Sequence, residues 1–102
     1  MTFEMMPAKD LDACMDSRDT FLIDLRAPKE YVNGHLKGAV NIPYDRLKNC
    51  CMFPKSMTLV LYCDRGAVSM AAARELAGKG YRVKTVIGGI AAYRGKNLES
   101  FR

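Results

Sequence analysis

The sequence contains no tryptophan and one histidine, and it has no long apolar run. A membrane-spanning helix needs about 18 consecutive apolar residues, and no segment approaches that length. The first residues, MTFEMMPAKD, lack the basic stretch and apolar core of a secretory signal. We therefore expect a cytoplasmic protein that does not enter a membrane.

The four cysteines are not spaced like metal ligands. Cys14 and Cys63 stand alone, while Cys50 and Cys51 are adjacent. A structural zinc site is usually built from pairs such as Cys-x-x-Cys together with further cysteines or histidines. Zinc is therefore a weak alternative, and we expect no metal and no cofactor. In a reducing compartment the default state of these cysteines is the free thiol.

Basic residues outnumber acidic ones and give a net charge of +5, yet no basic run is dense. The first 24 residues are acidic on balance and the remainder is basic. Nucleic acid is a poor candidate partner because no strand studded with aromatic residues accompanies the charge. We interpret the excess as a solvated basic surface, with steering of a small anion as the sharper alternative.

Short apolar runs alternate with helical patterns along the chain. A length of 102 residues predicts a single domain over 1–102. The pattern predicts strands at 21–24, 39–42, 58–62 and 83–87, and helices at 8–16, 28–33, 44–50, 67–79 and 90–93. Such alternation predicts an α/β fold whose parallel sheet is covered by helices on both faces.

The strongest local pattern surrounds Cys63. Residues 58–62 are apolar without polar alternation, which is typical of a central parallel strand buried on both faces. Cys63 follows at once, and after residues 64–66 the chain is rich in helix formers as far as Lys79. Because ligands bind outside the carboxyl ends of parallel strands, Cys63 stands where a reactive group is expected.

A strand–loop–helix turn of this kind favours a thiolate. The first N–H groups of a helix lack intrahelical acceptors, and the helix N-terminus carries partial positive charge. Gly66 lets the loop curl around the sulfur, and Ser69 can cap the helix or bond the anion. Arg65 adds a cation that Asp64 opposes. We predict that Cys63 is a nucleophile rather than a buried, inert thiol.

The other cysteines are interpreted differently. Cys14 lies on the apolar stripe of a predicted helix and is expected to be inert. Cys50 and Cys51 end a predicted short helix, so a regulatory or resolving role stays open because it depends on exposure.

A second motif occupies residues 24–43. It reads Asp-x-Arg at 24–26, Glu-Tyr at 30–31, Gly-His-Leu at 34–36, Gly-Ala at 38–39 and Asn-Ile-Pro at 41–43. The cysteine loop and the later Gly88, Gly89 and Tyr93 follow in matching order and spacing. Together these residues resemble a stand-alone single-domain rhodanese, and the resemblance covers nearly the whole chain.

The resemblance implies a rhodanese-like α/β fold with a parallel sheet of about five strands, and it implies sulfur transfer. Cys63 would take sulfur from a small anionic donor such as thiosulfate, become a persulfide, and pass the outer sulfur to cyanide or a thiol. Two covalent half-reactions predict ping-pong kinetics. The persulfide would be held by the backbone of the loop residues Asp64, Arg65, Gly66, Ala67, Val68 and Ser69.

The loop departs from the family pattern at one position. Many rhodaneses have arginine five residues after the cysteine, where this chain has Val68. That change predicts weaker binding of a doubly charged donor, unless the positive charge of Arg65 replaces that of the missing arginine. Phosphatases and arsenate reductases of this fold need an arginine that clamps the oxyanion with two hydrogen bonds, which neither Val68 nor Ser69 supplies.

Several motif residues are interpreted as supporting ones. We expect Asp24, Arg26 and Glu30 to brace the site through ion pairs, with Arg26 and Glu30 able to pair with each other. His35 and Tyr93 are interpreted as scaffold residues rather than catalytic ones, because a general base must reach the reacting proton.

Three functions are compatible with the sequence. The first is a sulfurtransferase enzyme. The second, which Val68 favours, is a persulfide carrier that delivers sulfur to an accepting protein with little turnover alone. The third is a redox protein that pairs Cys63 with Cys50 or Cys51.

Overall fold

The computed structural model describes residues 2–47, 49 and 53–101. The strands are β1 (Glu4–Met6), β2 (Thr20–Asp24), β3 (His35–Leu36), β4 (Val40–Asn41), β5 (Thr58–Tyr62), β6 (Arg82–Val86) and β7 (Leu98–Glu99). The α-helices are α1 (Leu11–Met15), α2 (Pro28–Asn33), α3 (Tyr44–Leu47) and α4 (Ala67–Gly78). Single 3-10 turns occupy Ala8–Asp10 and Ile90–Ala92.

Five strands form one parallel sheet in the order β1-β6-β5-β2-β4. Strand β5 lies at the centre, so that Leu61 is opposite Ile23 on one side and Thr85 on the other. Because β2 and β5 run parallel and in register, their carboxyl ends meet at the same edge. The predicted α/β fold with a parallel sheet of five strands is confirmed.

Side chains of the central strands alternate between two buried clusters. Ile23, Leu59 and Leu61 pack in one cluster with residues of α3 and α4, among them Leu47 and Leu76. The intervening residues pack in the other cluster, with Leu11 of α1 and Leu36 of β3; they are Leu22, Val60 and Tyr62. This alternation follows the period of two along a strand and places helices on both faces of the sheet, as predicted.

Strand β1 was not predicted from the sequence. Two of its three residues are exposed, so no alternating pattern marks it. It forms because its backbone pairs with β6, which places Met6 opposite Val86 at the edge of the sheet.

The predicted final helix at 90–93 is wrong, because the segment makes only one 3-10 turn over Ile90–Ala92. Gly89 precedes it in a conformation with φ 63°, and Tyr93 is already extended with φ −75° and ψ 131°. The chain then returns to form the antiparallel pair of β7 with β3.

The short helix predicted at 44–50 is present as Tyr44–Leu47. Residues 48 and 50–52 lie outside the described residues, and so do the predictions that concern Cys50 and Cys51. Within the described part of the chain, no helix combines the length and the apolar character that crossing a bilayer requires.

Candidate active site

Cys63 directly follows β5, at the carboxyl edge of the sheet, and only 5% of its surface is exposed. Its Sγ accepts hydrogen bonds from the backbone N–H of Gly66 at 3.1 Å and of Ser69 at 3.4 Å. Gly66 has φ 105°, a conformation that glycine adopts without steric penalty. The loop therefore curls around the sulfur and points two backbone dipoles at it.

These donors lie at the start of α4, a helix of 12 residues: Gly66 precedes the helix and Ser69 lies in its first turn. Backbone N–H groups and the positive end of a helix both stabilise an anion placed beside them. Hydrogen bonds to a charged acceptor are about twice as strong as those between neutral groups. The arrangement consequently suits a thiolate, or the terminal anion of a group attached to it.

The Ser69 hydroxyl does not face the sulfur. It donates to the Gly66 carbonyl at 3.1 Å and shares a hydrogen bond of 2.7 Å with the Thr85 hydroxyl. Both residues are fully buried. The sequence left open whether this hydroxyl caps the helix or bonds the anion, and in the structure it does neither. The backbone N–H of Ser69 contacts the sulfur, while the hydroxyl ties the start of α4 to β6.

Replacing Ser69 with alanine should lower the free energy of unfolding by about 1–3 kcal/mol. The change leaves the Thr85 hydroxyl buried without its Ser69 partner. Urea unfolding of the variant measures the loss. In the control Ser69→Ala/Thr85→Val both hydroxyls are gone, so this protein should be more stable than the sum of the two single changes predicts; strict additivity would contradict the argument.

The turn after β6 holds the cysteine loop from the opposite side. The N–H of Ile90 donates to the Cys63 carbonyl at 3.0 Å, and the N–H of Ala91 donates to the Asp64 carbonyl at 3.1 Å. A Cβ built on Gly89 would lie 2.5 Å from the Asp64 oxygen. This close approach explains the glycine, whereas the two amide contacts had no signal in the sequence.

Asp24 and Arg26 form a closed ion pair at the end of β2. The buried carboxylate of Asp24 accepts hydrogen bonds from the backbone N–H of Arg26 at 2.9 Å, from its Nε at 3.0 Å and from its Nη2 at 2.8 Å. Burial lowers the pKa of Arg26, but the hydrogen bonds and charge of Asp24 outweigh it and leave the pKa raised. Arg26 thus pairs with Asp24 and not, as the sequence suggested, with Glu30.

A pocket of about 560 Å³ opens beside Cys63. It is lined by Leu25, Arg26, Ala27, Glu30, Pro43, Tyr44, Asp45, Cys63, Asp64, Arg65, Ala67 and Val68. The structure thus brings most of the predicted site residues together, while Asp24, Gly66 and Ser69 are buried and do not line the pocket. The sequence did not predict that residues 43–45 line the pocket, although they follow β4 at the same edge of the sheet.

The comparisons with known proteins agree with this geometry. The family model for the rhodanese-like domain matches residues 7–96. This chain belongs to the rhodanese-like domain family. The resemblance inferred from the motif at residues 24–43 and from the cysteine loop is therefore confirmed.

Named relatives of this rhodanese-like chain include sulfurtransferases. The tRNA sulfurtransferase of Desulfurococcus amylolyticus is 38% identical over 76 residues, a match that covers 74% of this chain but only 15% of that protein. A sulfurtransferase of Allochromatium vinosum is 35% identical over 80 residues and is matched over 75% of its length. A more distant relative, the tRNA uridine(34) hydroxylase of Photorhabdus laumondii, is 28% identical and is matched over 30% of its length.

A solved structure shares the fold. The reduced CoADR-RHD of Bacillus anthracis superposes with a TM-score of 0.82 at 34% identity, over 89% of this chain and 16% of that one. The rhodanese-like chain therefore spans a small part of some relatives and most of others.

Two other candidate side chains of this rhodanese-like domain lie away from the pocket. His35 is 1% exposed, its Nδ1 is 2.7 Å from the Tyr31 carbonyl, and its ring stacks on Tyr31 at 3.8 Å. The Tyr93 hydroxyl donates to Asp12 at 2.6 Å. Both pack and form hydrogen bonds within the scaffold, which agrees with their interpretation from the sequence.

Cys14 differs from Cys63 in its surroundings. Its Sγ lies 3.7 Å from the Asp10 carbonyl of the preceding turn, and the thiol is half-buried. Burial raises the pKa of the Cys14 thiol, which opposes formation of the reactive thiolate. This environment agrees with the expectation that Cys14 is inert.

Proposed function

We propose that this chain is a sulfurtransferase that carries sulfur as a persulfide on Cys63. The observation that supports it is the position of the Cys63 sulfur beside an open pocket, within reach of the N–H groups of Gly66 and Ser69. In the first half-reaction the thiolate attacks the sulfane sulfur of a donor. The bond between that sulfur and the rest of the donor breaks, and the rest of the donor leaves with the electron pair. In the second, cyanide or a thiol attacks the outer sulfur and Cys63 leaves as a thiolate.

The names of the relatives support sulfur transfer in general. Two of them are called sulfurtransferases, and one of these is matched over 75% of its length. Thiosulfate as donor and cyanide as acceptor are the simplest choices for a first assay, and neither is implied by those two names.

The direct test follows the mass of the intact protein. Incubation with thiosulfate, and separately with an organic persulfide, should add one sulfur atom that maps to Cys63. Addition of cyanide should then release thiocyanate over many cycles and return the original mass. Failure of every sulfane donor to load a folded protein would overturn the proposal.

A second candidate is a persulfide carrier that hands its sulfur to an accepting protein. Val68 favours it, because an apolar side chain that is 41% exposed stands at a pocket wall where an arginine would hold a charged donor. A stable one-sulfur adduct on Cys63 without multiple turnover would support the carrier over the enzyme.

Replacing Val68 with arginine should raise kcat/KM for thiosulfate roughly tenfold, since a new charge-assisted hydrogen bond worth about 1.4 kcal/mol corresponds to that factor. Steady-state release of thiocyanate measures it. Val32→Arg is the matched control, because Val32 is a 37% exposed helical valine that does not line the pocket. Equal gains in both variants, or no gain from Val68→Arg, would show that the missing arginine is not what limits thiosulfate use.

A further inference from the structure

Among the residues that the structure describes, more negative than positive side chains line the pocket beside Cys63. There are three carboxylates against two guanidinium groups, and these are Glu30, Asp45, Asp64, Arg26 and Arg65. The chain as a whole has a net charge of +5. The pocket therefore does not share the basic character of the chain, and a general basic surface does not describe the entrance to the sulfur.

Neither guanidinium is directed by its contacts toward a ligand above the sulfur. The Nε and Nη2 atoms of Arg26 donate to Asp24, Nη2 also donates to the Gly34 carbonyl, and 9% of the side chain is exposed. The Arg65 side chain is 85% exposed, and its Nε lies 3.9 Å from an Asp64 oxygen. Arg26 is thus largely neutralised by a buried carboxylate, and Arg65 lies beside Asp64, so that these two exposed charges offset each other.

The walls between these charges are mostly carbon. Leu25, Ala27, Pro43, Ala67 and Val68 supply apolar side chains around the opening. Carbon surface of this kind stabilises the organic body of a ligand by removing apolar area from water. It offers nothing to the oxygen atoms of a small inorganic oxyanion, which require hydrogen-bond donors.

The charges are therefore divided by position. Negative charge on sulfur is met by the N–H groups of Gly66 and Ser69, whereas negative charge elsewhere on a ligand faces Glu30 and Asp45. We propose that this pocket accepts organic thiols, and the persulfides derived from them, whose carbon body is apolar and carries no negative charge. This inference rests on the proposed function and adds the class of substrate.

The step that the pocket would select is the discharge of the persulfide. A thiolate RS⁻ attacks the outer sulfur of the Cys63 persulfide and forms a new S–S bond, while the bond from that sulfur to Sγ breaks. The electron pair returns to Sγ, where the N–H groups of Gly66 and Ser69 stabilise it. The product is RSS⁻, and no oxidant or reductant is needed.

The test compares three thiols of similar size and different charge. Protein loaded with one sulfur and freed of excess donor is mixed with cysteamine, 2-mercaptoethanol or 3-mercaptopropionate at equal thiolate concentration. Loss of the added sulfur is followed by intact mass. Glu30 and Asp45 should each slow the reaction of the anionic thiol about two- to threefold at low ionic strength. We therefore expect 3-mercaptopropionate to be the slowest thiol and cysteamine to be at least as fast as 2-mercaptoethanol.

Two further measurements test whether the pocket carboxylates, and not some other property of the thiols, cause the difference in rate. In Glu30→Gln/Asp45→Asn the ratio of the 3-mercaptopropionate rate to the 2-mercaptoethanol rate should rise about four- to ninefold at low salt. At high salt, the difference in this ratio between the double variant and the wild type should become smaller. Glu4→Gln, an exposed carboxylate of β1 that does not line the pocket, should leave the ratio unchanged.

The outcomes distinguish this inference from the function on which it rests. If the persulfide forms but 3-mercaptopropionate discharges it as fast as the other thiols, or if the double change does not move the ratio, the substrate class is wrong. If no donor loads Cys63 at all, the proposed function itself fails.

Discussion

Replacing Cys63 with serine is expected to abolish sulfur loading and to reduce turnover by at least about 1,000-fold, the scale of loss when a covalent nucleophile is removed. A serine hydroxyl is neutral near pH 7 and cannot form a persulfide. Serine fits the same site, where the Gly66 and Ser69 N–H groups can donate to oxygen as they do to sulfur. Intact mass after incubation with donor, together with thiocyanate release, measures the effect.

Cys14→Ser is the matched control for this change. Cys14 is the other described free cysteine, and it lies on α1, away from the pocket. The variant should load sulfur and turn over like the wild type. Urea unfolding of both variants checks that they remain folded. A Cys63→Ser protein that still gains sulfur would place the nucleophile on another cysteine, with Cys50 and Cys51 the first to be replaced in turn.

The sequence predicted the central elements well because their signals are local. Strand β5 occupies Thr58–Tyr62 as expected, and α4 occupies Ala67–Gly78 against a prediction that ended one residue later. An unbroken apolar run and a run of strong helix formers each carry their own evidence. Strands of two residues have no such local pattern. Strands β3 and β7 form because they pair with each other, His35 lying opposite Glu99, which is 64 residues later in the chain.

In the candidate site, too, the features with a local signal were predictable and those without one were not. The position of Cys63 and the curl of its loop followed from the order of strand, glycine and helix. Side-chain directions did not follow, so the sequence could not show which groups the Ser69 hydroxyl and the Arg26 guanidinium contact. Arg26 binds Asp24 because its backbone N–H and its guanidinium both reach one carboxylate two residues earlier, a geometry that fixes the side chain.

Replacing Gly89 with alanine is expected to destabilise the protein and to displace the cysteine loop. The new Cβ would lie 2.5 Å from the Asp64 carbonyl oxygen and 2.6 Å from that of Cys63, and both are backbone atoms that no side-chain rotation can clear. Gly89 also has φ 63° and ψ −160°, a region essentially confined to glycine, where a residue with a Cβ is strained by about 1–3 kcal/mol. Strain and overlap together should cost about 3 kcal/mol or more of the free energy of unfolding.

The same change should slow sulfur loading in the molecules that remain folded. The carbonyls that would be pushed away are those that accept from Ile90 and Ala91, and the first belongs to Cys63 itself. Moving them shifts the sulfur relative to the N–H groups that stabilise its charge. Gly78→Ala is the matched control, since a Cβ on this last residue of α4 meets no atom within 4 Å and the protein should gain about 0.4–1 kcal/mol of unfolding free energy. Unfolding in urea gives the stability and the time course of intact mass gives the loading rate. A Gly89→Ala protein that equals the wild type in both would show that this turn does not position Cys63.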